Sequence, residues 1–178
     1  MSMAQRMNIV AVGDVRVRTR MKLLEQPERV KVMRDWTGAG DVAIANLEIP
    51  LTRRGWPQDK LGVSRSDPEF ATEVAACGFS VVTLANNHMM DYGPVGLEDT
   101  LAAVDAAGLR RVGAGRDWDE AIQPLRLELP QGRLLHVINF ACTVGLAAAA
   151  GPGRAGVAPL RVTHSYQVEP TSILEQPG

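Results

Sequence analysis

Seven residues of chemically capable type fall at three places in this sequence: Asp14, then Asn46 with Glu48, then Asn86, Asn87 and His88 with Asp91. Each group follows a short apolar run: NIVAV at Asn8–Val12, DVAIA at Asp41–Ala45, and FSVVTL at Phe79–Leu84. Carboxylates, an amide oxygen and an imidazole together suit the shell of a divalent ion such as Mn, Mg, Zn or Fe. An ion held this way polarises a substrate oxygen and acidifies bound water, with His88 beside it as acid, base or anion contact. Taken singly, each group has an ordinary structural reading. Gly13-Asp14 suits a turn or cap, Asn46 and Glu48 suit loop positions, and Asn86-Asn87 suits a turn tolerant of left-handed backbone angles. A lone histidine is more often structural than a ligand, and Asp91 could cap the helix opening at Pro94. The coincidence at three strand ends favours a site, because loops from adjacent parallel strands converge there.

The elements that must position these residues follow from periodicity. Asn8–Val12, Asp41–Ala45 and Phe79–Leu84 are too short and too continuously apolar for helices, so they read as buried strands. Met21–Trp36 has helical spacing, with Pro27 starting or kinking it. Ser66-Asp67-Pro68-Glu69 has capping-box spacing and predicts a helix ending at Gly78. Pro94–Gly108 predicts another, with Leu97, Leu101 and Val104 on one stripe. A short strand at Arg110–Val112 and a hairpin from Leu125–Leu129 and Arg133–Phe140 complete the pattern. The irregular stretch 52–65 reads as a loop, and the low-complexity stretch 145–156 as a mobile one. Strands alternating with helices predict an α/β fold with a mostly parallel sheet, to which the hairpin adds antiparallel strands.

Composition narrows the function classes. The chain has 178 residues, enough for one domain with a sizeable core. Its 19 Lys+Arg against 20 Asp+Glu give no field that favours nucleic acid or an anionic membrane. Cys77 and Cys142 have no ligand-like spacing, which predicts two plain buried thiols in a reducing compartment. The apolar run near the N-terminus is too short for a signal peptide or membrane span, so a cytoplasmic location is expected. The stretch from Thr163 to Gly178 has no closing element and reads as a chain cut in a loop, so 145–178 is expected to be loop-rich. Oligomeric state has no signal. Arg16, Arg18 and Arg20 form a basic alternation that is a solvated loop by default, yet beside a crevice could hold a carboxylate or phosphate. His136 reads as structural, and nothing fixes a role for His164.

Gly13-Asp14-Val15, ANLEIPLT at 45–52, and VTLANNH at 82–88 with Asp91-Tyr92-Gly93 resemble the poly-γ-glutamate capsule synthesis (CapA-like) family. The match continues through Gly96-Leu97, Gly113-Ala114-Gly115 and Gly156-Val157-Ala158-Pro159-Leu160, covering about Asn8 to Arg161. That family is similar to the calcineurin-like metallophosphoesterases. The resemblance implies a metallophosphatase-like αββα sandwich, truncated here, with a mixed sheet whose parallel strands carry the site at their C-terminal ends. It implies a divalent metal ion held by Asp14, Glu48 and Asn87, and catalytic work by His88 with Asp91 orienting it. Arg16 and Asn86 are the expected substrate contacts, and the implied substrate is a peptide or polyglutamate-type chain. Two departures matter. The superfamily's usual Asp-x-His is Asp14-Val15-Arg16 here, and the later Gly-x-His-x-His type motif is absent from this sequence. The expected function is metal-dependent peptide tailoring by α-carbon epimerisation, with phosphoester or amide hydrolysis as the alternative. A noncatalytic component of poly-γ-glutamate biosynthesis is the reading from another class.

Overall fold

Four parallel strands make the platform on which the polar residues stand. A computed structural model describes residues 6–16, 22–142, 144–163 and 165–166. Arg18, Arg20 and His164 lie outside the described residues, as does most of the C-terminal stretch. The platform strands are β1 (Ile9–Val15), β2 (Val42–Leu47), β3 (Val81–Thr83) and β4 (Arg110–Val112), in that order across the sheet. Helix α1 (Pro27–Thr37) joins β1 to β2, α2 (Phe70–Ala76) precedes β3, and α3 (Gly93–Ala106) joins β3 to β4. A two-residue strand β5 (Ala114–Gly115) and α4 (Trp118–Ile122) follow. The hairpin β6 (Leu125–Leu129) and β7 (Arg133–Val137) comes next, and β8 (Gly156–Val157) pairs antiparallel with β5.

The continuous apolar runs of β2 and β3 are explained by cover on both sheet faces. One face packs Ala43, Ala45, Leu47 and Val82 against Phe70 and Val74 of α2 and Leu97, Leu101 and Val104 of α3. The other packs Val42, Val81 and Val112 against Leu125, with Leu127, Leu129, Leu135 and Val137 of the hairpin adding to it. Leu97, Leu101 and Val104 are fully buried, as the sequence stripe predicts, and burial of such side chains contributes roughly 1.5–3 kcal/mol each. The result is a helix layer, a parallel sheet and an antiparallel layer: a mixed α/β architecture consistent with a metallophosphatase-like fold.

Several expectations are corrected: of the two thiols expected to be buried, Cys77 is buried and Cys142 is exposed. β1 is not buried: it is an outer strand, with β2 as its neighbour, and Ile9 and Val12 remain 43% and 42% exposed. It also runs on to Val15, with an irregular register between Ala11 and Asp14, so Asp14 lies in the strand and not beyond it. The predicted capping box does not form. Ser66 is bridged to Leu51, its N–H donating to Pro50 O and its carbonyl accepting from Thr52 N, so α2 opens later, at Phe70. The predicted helix from Met21 opens at Pro27, as Pro at the first helical turn dictates. The stretch 145–156 is a folded excursion: Val157 N donates to Ala148 O and Ala150 N to Val157 O, and Ala149 and Ala150 are buried. No described helix is long and apolar enough to cross a membrane.

Candidate functional site

Strand register brings the first polar row together. Asp14 pairs with Asn46 across β1 and β2, and Asn46 pairs with Thr83 across β2 and β3. The side chains follow the same line: Asn46 Nδ2 donates to Asp14 Oδ1 at 2.6 Å, and Thr83 Oγ1 donates to Asn46 Oδ1 at 3.2 Å. Asn86 closes the row by donating from Nδ2 to Asn46 Oδ1 and to Leu47 O, at 3.3 and 2.9 Å. Its Oδ1 accepts from the N–H groups of His88 and Met89, at 3.0 and 2.9 Å. Asn86, expected at the substrate, is therefore engaged at both ends of its amide and shapes the turn that presents His88. Gly113, at φ +98, lets Asn139 approach the same turn. A side chain there would meet Asn139 Oδ1, which accepts from Ala85 N at 2.6 Å.

Beyond the strand ends lies a chain of charges. Asp91 is fully buried, and its Oδ2 accepts from Ser64 N at 2.8 Å while lying 2.8 Å from His88 Nδ1. A carboxylate oxygen only accepts, so in a neutral ring this contact favours the proton on Nδ1 and the lone pair on Nε2. Nε2 faces Glu48 Oε1 at 3.9 Å. Glu48 Oε2 accepts from Arg16 Nη1 at 3.2 Å, and Arg16 Nη2 donates to Ser64 Oγ at 3.1 Å. On the far side, Lys60 Nζ lies 2.5 Å from Asp91 Oδ1, a charge contact off the angle of a hydrogen bond, and donates to Asn87 O. The imidazole thus stands between two carboxylates, each backed by a cation. Arg16 Nε is buried without a partner in this group, a state that costs about 1–3 kcal/mol where it is not relieved.

The loop 52–65 builds half of this arrangement, and the sequence reading passed over it. Gln58 N donates to Asp91 O at 2.8 Å, and Gly55, at φ +80, sits against Tyr92 O where a side chain would clash. The other end of the loop is anchored on α3: Leu51 N donates to Thr100 Oγ1 at 2.8 Å and Thr52 Oγ1 to Asp99 Oδ2 at 2.6 Å. The Arg54 guanidinium, and after it Thr52, hold the Asp99 carboxyl below its ordinary value. Lys60 and Ser64 had no signal in the sequence. They sit in an aperiodic stretch, and both the Ser64 bond to Asp91 and the Lys60 bond to Asn87 span 27 residues.

A metal shell can be tested against these donors. Asp14 Oδ1 is taken by Asn46, Glu48 Oε2 by Arg16, and Asn87 is exposed, with its backbone carbonyl held by Lys60. Among the described residues, no three His, Cys, Asp or Glu side chains converge as a metal shell requires. As placed, the described donors do not by themselves make the shell of a divalent ion. The structure brings Arg16, Glu48, His88 and Asp91 into one group, places Asp14 and Asn86 in the bracing row, and leaves Asn87 at the rim.

The model of the bacterial capsule synthesis protein family PGA_cap matches residues 8–171. The uncharacterized protein y4sH of Sinorhizobium fredii is 31% identical over 182 residues, covering 93% of this chain and 38% of that protein. The PGA biosynthesis protein CapA of Bacillus subtilis is 31% identical over 123 residues, covering 68% of this chain and 32% of its own length. The capsule biosynthesis protein CapA of Bacillus anthracis is 46% identical over 88 residues, covering 45% of this chain and 20% of its own length. This chain thus spans less than two fifths of the relatives it matches.

Proposed function

The chain belongs to the PGA_cap bacterial capsule synthesis family, and from that premise we propose that it takes part in making or trimming a polyglutamate-type chain. Its work is proton transfer by His88, oriented by Asp91. The observation that carries this reading is the contact of His88 Nδ1 with the fully buried Asp91 at 2.8 Å, which leaves Nε2 free to accept a proton. The imidazolium formed on proton uptake lies between Asp91 and Glu48, whose carboxylates stabilise it. Arg16 supplies a guanidinium at the other side of Glu48, suited to a glutamyl carboxylate or to an oxygen gaining charge.

Among the reactions open to such a site, the geometry favours hydrolysis of an amide. The 3.9 Å between His88 Nε2 and Glu48 Oε1 is a span that one water oxygen bridges. His88 would take the proton of that water as its oxygen attacks the substrate carbonyl, then return it to the leaving nitrogen. Two groups flanking opposite faces of a substrate carbon need roughly 5–6 Å, twice the reach of a proton transfer, so the His88–Glu48 pair at 3.9 Å does not suit two-base α-carbon epimerisation. The metal-dependent form, with Asp14, Glu48 and Asn87 as donors, would require Arg16 to leave Glu48 and further donors from elsewhere, so no step is assigned to an ion.

Incubation of the full-length protein with α- and γ-linked glutamyl oligopeptides in oxygen-18 and deuterium labelled water separates the readings. Fragments carrying one oxygen-18 at the new carboxyl support hydrolysis. Deuterium at an α-carbon without cleavage supports epimerisation. Neither outcome, with the peptide bound, makes the chain a noncatalytic component.

A further inference from the structure

We propose that Lys60 is a positioning residue for His88, acting through Asp91. The inference rests on the acid–base reading for its consequence and on geometry for its content. Asp91 is fully buried, and its two oxygens are treated differently. Oδ2 has Ser64 N and His88 Nδ1, both at 2.8 Å, whereas Oδ1 faces the Lys60 ammonium at 2.5 Å. A buried carboxylate without a counter-charge is strongly disfavoured, and its neutral form carries a proton that competes for the same ring nitrogen. The Lys60 ammonium supplies that counter-charge at Oδ1, leaving Oδ2 to face His88 Nδ1.

Lys60 also fixes the turn itself. The same ammonium donates to Asn87 O, the carbonyl that immediately precedes His88, so one group ties both ends of the segment from Asn87 to Asp91. Gln58 N, two residues before Lys60, holds Asp91 O, and Ser64 N, four residues after it, holds Asp91 Oδ2. The loop thereby meets Asp91 from three directions, and among the described residues Lys60 is the cation it brings to that carboxylate. Its side chain remains 35% exposed, so the clamp is made from the solvent side of a buried acid. A surface lysine that merely solubilises the loop would have no reason to bridge this carbonyl and this carboxylate together.

The test compares wild type, K60M and K60R in the full-length protein, using nitrogen-15 histidine spectra recorded with the imidazole neutral, alongside thermal unfolding. Wild type and K60R show His88 locked as the Nδ1–H tautomer. K60M unfolds cooperatively yet shows His88 as a mixture of tautomers, with turnover lowered ~10- to 100-fold in kcat and little change in KM. A locked Nδ1–H tautomer in folded K60M, or its loss in folded K60R, overturns the proposal. Should K60M not fold, K60Q, which keeps a polar side chain without the charge, is read by the same two outcomes. Because the tautomer is read without substrate, the result stands apart from whether glutamyl peptides are turned over, which variants of His88 decide.

Discussion

Two ion-pair networks start from the same irregular segment and meet water differently. Arg53 reaches Asp67 and Glu69 at 3.1 and 2.7 Å with its own side chain 56% exposed. Lys60, seven residues on, meets an aspartate that is 0% exposed. The first network exchanges hydrated charges for paired ones at little gain, and it closes a loop end on the surface. The second removes a carboxylate from water, a cost that attraction to a single ammonium offsets only in part. On the proposed function, a buried charge kept at such cost, in contact with a histidine whose other nitrogen faces a second carboxylate, serves chemistry more than stability. Arg54 with Asp99 falls between them, since Asp99 is 18% exposed and also accepts from Thr52.

That contrast can be broken at several points. The largest effect belongs to Asp91→Asn, which keeps shape but removes the charge that fixes the His88 tautomer. Turnover of a glutamyl oligopeptide should fall by roughly 10²- to 10⁴-fold, while Arg53→Ala leaves it unchanged; equal losses in both would dissolve the distinction. Next comes stability. Asp91→Ala leaves the buried Ser64 N–H without an acceptor, and urea unfolding should show a loss of about 1–3 kcal/mol. Arg53→Ala should leave the midpoint within the error of the curve.

A pH series sharpens the intermediate case. Arg54 holds the folded Asp99 carboxyl below its ordinary value, so the stability it contributes is present above that ordinary value. It is lost as pH falls through the folded one. Below about pH 4, wild type should therefore lose stability more steeply than Asp99→Asn. Parallel curves would show that the Arg54 pair contributes nothing to folding.

What the sequence made legible follows from range. β2, β3 and α3 were readable because their apolar patterns report cover by neighbours on both faces or along one stripe. The exposure of β1 was not, since an apolar run looks the same whether its strand is central or outermost. Ser66 carried a helix-start spacing, but the bridge to Leu51 claimed its backbone first. At the site, Glu48, His88 and Asp91 were legible because they crowd behind strands, and Arg16 because it follows Asp14. The division of labour among them was not: Asn86 is of a type that binds substrates, and only its four partners show it bracing the turn. Lys60 and Ser64 were invisible because their contacts with Asn87 and Asp91 are made across a loop without periodicity.

The central claim, that His88 moves the proton, is tested most directly by His88→Ala on a glutamyl oligopeptide with and without free imidazole. The account predicts a folded protein whose turnover falls by roughly 10²- to 10⁴-fold and recovers in part as imidazole fills the vacated space. Turnover equal to wild type in a folded His88→Ala protein would contradict it.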